Sequence, residues 1–171
     1  MLPLASKKPP TQRARLQTGL LRVGALGDVA LLGYWWIGSA LPSPAGAPVP
    51  ALEAVMYRSP SCGCCGGYAA HLQRQGVSLT VVELEDVVAV KNEFGVPQSM
   101  WSCHTLEVGG YFVEGHVPFE AIQALVAAQP KLDGVALPGM PAGSPGMGGE
   151  KTAPFVIYAV KDGVTQTFMT L

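Results

Sequence analysis

Charge is scarce in this chain. Only 13% of its 171 residues are Asp, Glu, Lys or Arg, and the formal net charge is −1. That balance lacks the basic excess of a nucleic-acid-binding surface. Low charge combined with 49% hydrophobic residues also excludes the signature of intrinsic disorder. No internal repeat is present, so a solenoid or propeller is excluded. The most apolar uncharged segment, VALLGYWWIGSAL at residues 29–41, falls short of the roughly 20 residues of a membrane span. Histidine occurs only three times and cysteine four times. Any metal or redox chemistry must therefore come from few side chains.

What charge there is divides unevenly. Residues 1–47 carry five Lys/Arg against one Asp, a net of +4, and the remainder is net −5. The head, 1–47, has a basic start, the apolar stretch 29–41 and then the small residues SPAGAPVP. This is the plan of a signal peptide, with Ala40 or Ala47 as cleavage points. The alternative is an uncleaved membrane anchor reaching back to Val23 across Asp28. Either places the body, residues 49–171, in an extracytoplasmic space where thiols oxidise readily. Length accords with one domain plus this appendage.

The body reads as alternating strands and helices. LEAVMYR (52–58) alternates as a strand does. CGGYAAHLQRQG suits a helix over about 65–75, with Tyr68 and Leu72 on one face and Gly76 as the stop. VSLTVVEL (77–84) is a second strand, and EDVVAVKNEFG (85–95) a second helix with acids in its first turn. GVPQSMWSCH is a loop. TLEVGGYFVEG is a hairpin turning at Gly109-Gly110. PFEAIQALVAA is a third helix opened by Pro118. The order β-α-β-α-β-β-α is that of the thioredoxin-like architecture, its first two strands forming a right-handed parallel unit. A long Gly/Pro/Met loop, residues 133–150, and a terminal hairpin around Asp162-Gly163 complete the chain.

Cys62, Cys64 and Cys65 fall within four residues, at the junction of the first strand and first helix. Cys62 and Cys65 alone form C-x-x-C at a helix N-terminus, where the helix dipole and free N–H groups stabilise thiolate and are expected to hold thiol pKa values below about 8.5. These two are the candidate redox-catalytic cysteines. Cys64 is surplus to a dithiol. Three thiolates crowded at one positive helix end repel one another unless a cation joins them. A soft d10 ion suits them, and Cu(I), which bridging thiolates can share in a multinuclear centre, leads the candidates. Cys103 lies in the loop before the third strand, which faces the helix end in such a fold, and His104 adjoins it. His116 is a further candidate ligand, or instead a hydrogen-bonding residue at a corner. His71, mid-helix, reads as structural. Met140 and Met147 offer thioether sulfur or simply packing, and Trp101 shields the site or fills the core.

Other readings of the cluster remain open on the residues alone. A structural zinc site lacks its second C-x-x-C. A plain dithiol needs only Cys62 and Cys65. An iron–sulfur cluster expects wider spacing. Structural disulfides allow three connectivities.

Taken together, YRSPSCGCCGGY, SCHT, GGYFVEGHVP and PGMPAGSPGM resemble the CopG-type proteins of bacterial copper-resistance clusters. The likeness runs from about Val55 to Phe168. It implies a thioredoxin-like fold, a periplasmic location and copper held by the cysteine cluster as a multinuclear thiolate centre. A copper oxidoreductase role is proposed for that family. Carried over by motif, the metal residues are Cys62, Cys64, Cys65 and Cys103, with His104 and His116. The expectation is an exported Cu(I)-binding protein of copper resistance, acting by sequestration or by copper redox chemistry with a redox or copper-transport partner. The alternatives are a thiol–disulfide oxidoreductase using Cys62 and Cys65, and a non-catalytic copper chaperone. No nucleic-acid partner is expected, and membrane contact only through the head.

Overall fold

Strand β1, Glu53–Arg58, lies one strand in from the edge of a seven-stranded sheet. The structure, a computed structural model, describes residues 51–171. The head and its signal-peptide or anchor reading lie outside the described residues. The other strands are β2 (Ser78–Glu83), β3 (His104–Val108), β4 (Tyr111–Glu114), β5 (Gly134–Ala136), β6 (Val156–Lys161) and β7 (Val164–Thr170), and the order across the sheet is β2-β1-β3-β4-β5-β6-β7. Helices α1 (Gly63–Arg74), α2 (Val87–Glu93) and α3 (Phe119–Ala128) connect them. No helix among the described residues is long and apolar enough to cross a membrane.

β1 pairs parallel to β2 and antiparallel to β3, and β3 pairs antiparallel to β4. This mixed α/β arrangement is compatible with the expected thioredoxin-like core. The hairpin turns where expected: Gly109 and Gly110 have φ of 58° and 84°, positive values that a two-residue hairpin demands of both central residues. The segment expected to be only a Gly/Pro loop differs. Its start, Gly134–Ala136, forms β5, parallel to β4 and antiparallel to β6. Three residues are too short for a legible alternation, and β5 forms because its neighbours on both sides supply hydrogen-bonding edges. It joins the terminal hairpin to the sheet.

Period-2 alternation divides the side chains between two faces. On one face Met56, Leu106, Val113, Val135 and Ile157 pack with Tyr68 and Leu72 of α1 and with Ile122 and Leu125 of α3. Full burial of each such side chain contributes about 1.5–3 kcal/mol. On the other face a smaller cluster joins Phe112, Val96 and Val160 to Phe94, Met100 and Trp101. The Trp101 indole N–H donates to Val96 O at 2.9 Å, so this ring fills a core.

Helix α1 starts two residues earlier than expected, with Cys62 as its N-cap and no side-chain cap bond. Sulfur accepts hydrogen bonds weakly, so the first-turn N–H groups keep their capacity to stabilise negative charge on the cysteines. Asp86 caps α2 by accepting from Val88 N–H at 2.9 Å.

Candidate metal centre

The same alternation places two functions at the start of β3. His104 faces α1, and Thr105 faces α2. His104 is fully buried beside Tyr68, with ring centroids 4.7 Å apart. Cys103, one residue earlier, lies between His104 and the end of α1. The forty-residue gap in sequence from Cys62 is closed by the β1–β3 pairing, in which Arg58 is opposite His104.

Cys62 and Cys65 are joined by a disulfide, and Cys64 and Cys103 are free thiols. Cys64 Sγ lies 3.7 Å from Cys62 Sγ and 3.8 Å from Cys103 Sγ. Cys103 Sγ contacts His104 Nδ1 at 3.2 Å and His116 Nε2 at 3.1 Å. Cys65 Sγ is 3.5 Å from His104 Nδ1. Two groups thus have all their donor atoms within 4.8 Å of one another: Cys62, Cys64, Cys65 and Cys103, and Cys103, His104 and His116. Cys103 belongs to both. The thiols predicted from sequence therefore converge, and both histidines join them. His71 does not: it stacks along Tyr68 on the far side, with centroids 6.4 Å apart.

The donor set fits a soft ion. Reduced, it offers four thiolate sulfurs and two imidazoles, the ligands that select Cu(I) or zinc. His116 Nδ1 donates to Pro145 O at 2.7 Å. A carbonyl only accepts, so Nδ1 carries the proton and Nε2 presents its lone pair to Cys103. A ligating imidazole is commonly oriented in this way. His104 Nε2 is buried with no hydrogen-bond partner, an orphaned polar atom at a site rich in metal-binding groups.

Electrostatics hold these groups neutral. Burial, then the neighbouring His116 and Lys91, lowers the His104 pKa to about 3. Burial lowers that of His116. The Cys103 thiol is pushed up to about 12, first by burial and then by Cys64. The lowered thiol pKa expected at the helix N-terminus concerns Cys62 and Cys65, which are joined in the disulfide. Cys103 lies opposite the helix end rather than on it, and two cysteines crowd the same pocket. A cation there would reverse the sign, because binding it expels the thiol proton.

The thioethers separate. Met140 is exposed, with Sδ 4.0 Å from Cys64 Sγ. No sulfur contact among the described residues involves Met147. The loop that carries both lies directly on α1. A Cβ at Gly67 would come within 2.8 Å of Gly146 O, and one at Gly146, where φ is 79°, within 2.3 Å of Tyr68 N. The bare glycines let backbone meet backbone, and this approach delivers Pro145 O to His116.

One supporting network was not foreseen. On the opposite face of the sheet Lys91 and Glu114 form a buried ion pair with Nζ–Oε1 2.5 Å. Lys91 Nζ also donates to Thr105 Oγ1 at 3.2 Å, and Thr105 Oγ1 donates to Glu114 Oε2 at 2.6 Å. Glu114 then accepts from the Ser102 N–H at 2.6 Å, and Ser102 Oγ donates to Gly139 O at 2.5 Å. The residue before Cys103 is thereby tied to the sheet and to the Met140 loop. An isolated Glu at an alternating strand position is a signal for burial only once its cationic partner is identified, and Lys91 reads as surface charge on α2. Arg58 adds a further tie by donating to Cys62 O at 3.2 Å.

Fold and site define a mixed α/β protein with a cysteine cluster capable of binding metal, two of whose members, Cys62 and Cys65, are joined by a disulfide. Residues 100–147 match the family described as "Protein of unknown function, DUF411". That stretch holds Cys103, His104, His116 and the Met140 loop. Among solved structures, the copper resistance protein CopG, in its forms 1 and 2, is 38% identical with a TM-score of 0.66. The match covers 71% of this chain and 98% of that one. A search of curated protein sequences returns no match. The chain belongs to the CopG family of copper resistance proteins.

Proposed function

We propose that this is an exported copper-binding protein of copper resistance, holding Cu(I) on Cys62, Cys64, Cys65 and Cys103 with support from His104 and His116. The observation that carries this reading is the convergence of four sulfurs and two imidazoles at the N-terminal end of α1. It is supported by 38% identity to a copper resistance protein. Copper is the cargo, and on the redox version of this reading also the substrate. Two Cu(II) ions oxidise the Cys62–Cys65 dithiol, yielding two Cu(I), one disulfide and two protons. A reductant then resets the dithiol. The basic, apolar head supports export to the periplasm, with membrane attachment only through that segment.

The disulfide between Cys62 and Cys65 favours one rival, a thiol–disulfide oxidoreductase acting on proteins. The two readings differ at Cys64, which the rival does not use. Metal analysis of reduced, anaerobically purified protein exposed to copper should find several Cu(I) per chain. Cys64→Ser should sharply lower that stoichiometry, because a hydroxyl is a poor ligand for Cu(I). Zinc alone in the wild type would overturn the copper reading. Wild-type copper content in Cys64→Ser, with disulfide exchange intact, would establish the rival.

A further inference from the structure

The site holds one disulfide and, in contact with it, two free thiols. Cys64 occupies the junction, 3.7 Å from Cys62 Sγ and 3.8 Å from Cys103 Sγ. A disulfide needs sulfurs about 2.05 Å apart, so each contact can close through side-chain rotation on the order of 1.7 Å at the sulfurs. Cys62, Cys64 and Cys103 are all partly exposed, whereas Cys65 is fully buried. The attackable sulfur of the existing disulfide is therefore Cys62, the one that Cys64 touches.

We propose that Cys64 and Cys103 form a second redox dithiol, which takes over the disulfide of Cys62–Cys65 by exchange through Cys64. The Cys64 thiolate attacks Cys62 Sγ. The Cys62–Cys64 bond forms, the Cys62–Cys65 bond breaks, and Cys65 leaves as thiolate. Cys103 then attacks Cys64 Sγ, its thiol proton passing to a departing sulfur, and Cys62 leaves. The net change is an isomerisation: Cys64–Cys103 becomes the disulfide and Cys62 and Cys65 become thiols. The protons lost by the two attacking thiols are regained by the two leaving ones, so no external oxidant or reductant is consumed. In this scheme the helix dithiol is restored at once for a second oxidation, and the chain stores two disulfides, equivalent to four electrons. Thiolate attack on a disulfide sulfur is the ordinary route of such exchange.

This deepens the redox reading of the same site, but its test contains no metal. The fully reduced full chain is treated anaerobically with diamide, a two-electron thiol oxidant, in steps up to excess. Each sample is quenched with acid, its free thiols are then blocked with N-ethylmaleimide under denaturing conditions near neutral pH, and intact mass and disulfide-linked peptides are read. With one equivalent, peptides joined by Cys64–Cys103 should appear beside those joined by Cys62–Cys65. With excess, the mass should fall by about 4 Da, the hydrogens of two disulfides, with no thiol left to alkylate. Cys103→Ser should stop at about 2 Da with only Cys62–Cys65 closed. A wild-type chain that stops at one disulfide, with Cys64 and Cys103 both alkylated, would overturn the proposal. So would dimers linked through Cys64 in place of the internal bond. Either result would leave copper binding standing. Absence of bound copper in the reduced protein, conversely, would leave this thiol count unaffected.

Discussion

Removing the Glu114 carboxylate should uncouple two properties that the buried network joins: stability and the placement of Cys103. Glu114 is wholly buried and its partner Lys91 nearly so. Glu114→Ala strands the Lys91 ammonium in the interior with only Thr105 Oγ1 as partner, and leaves the Ser102 N–H without its acceptor. Removing one member of a buried pair typically costs about 3–5 kcal/mol, against a total stability of roughly 5–15 kcal/mol for an ordinary domain. The midpoint of urea unfolding should fall accordingly, by about 1.5–2.5 M for a slope of about 2 kcal/mol/M. Glu114→Gln can still accept from Ser102 and Thr105, and its loss should be smaller. The double change Lys91→Met with Glu114→Leu removes both charges and should recover much of the Glu114→Ala loss, because no ion is left uncompensated. It restores no anchor for Ser102, so copper affinity should remain impaired in the double variant although stability returns. If Glu114→Ala costs less than about 1 kcal/mol, or the double variant binds copper as the wild type does, the network neither stabilises the fold nor aims Cys103.

Three further outcomes follow from the geometry. Gly66→Ala should stabilise by up to about 1 kcal/mol from helix propensity, since its Cβ meets nothing within 4 Å. Gly67→Ala should destabilise by about 1–3 kcal/mol through the clash with Gly146 O; thermal melts by circular dichroism that rank the pair the other way would refute the backbone contact. His104 is held neutral in the fold, with a pKa near 3 against an ordinary 6.5, so the unfolded chain takes up the proton first. Its contribution to stability is complete above pH 6.5 and declines as pH falls from there toward 3, by about 1.4 kcal/mol between pH 8 and 5.5. Chemical denaturation of the metal-free, oxidised protein should show this slope, and His104→Gln should flatten it. Cys103, with its thiol pushed up to about 12, should resist iodoacetamide in the oxidised protein at pH 8 and react faster as pH rises; rapid alkylation at pH 7 would show the thiol to be ionised.

The order of strands and helices could be read from local pattern because each element carries its own signal. Val/Tyr alternation marks β1. Gly109-Gly110 and Asp162-Gly163 mark turns whose positive φ values the structure confirms. The cluster Cys62, Cys64 and Cys65 could be read as a thiol site from spacing alone, since sequence neighbours on one helix turn cannot separate, while the choice among dithiol, zinc and copper chemistry could not. What depended on tertiary structure was everything joining distant segments. β5 has too few residues to show a period, and exists because β4 and β6 flank it. Cys103, His104 and His116 become one group only through the pairing of β3 with β1 and β4. Their pKa values follow burial, which no local pattern reports: enclosure raises the Cys103 thiol and lowers the His104 imidazole, so both are held neutral. Lys91 and Glu114 look like ordinary surface charges in sequence, 23 residues apart. Only the face of the sheet that they share turns them into the buried support beneath Cys103, because a charge can enter an interior only when its partner enters with it.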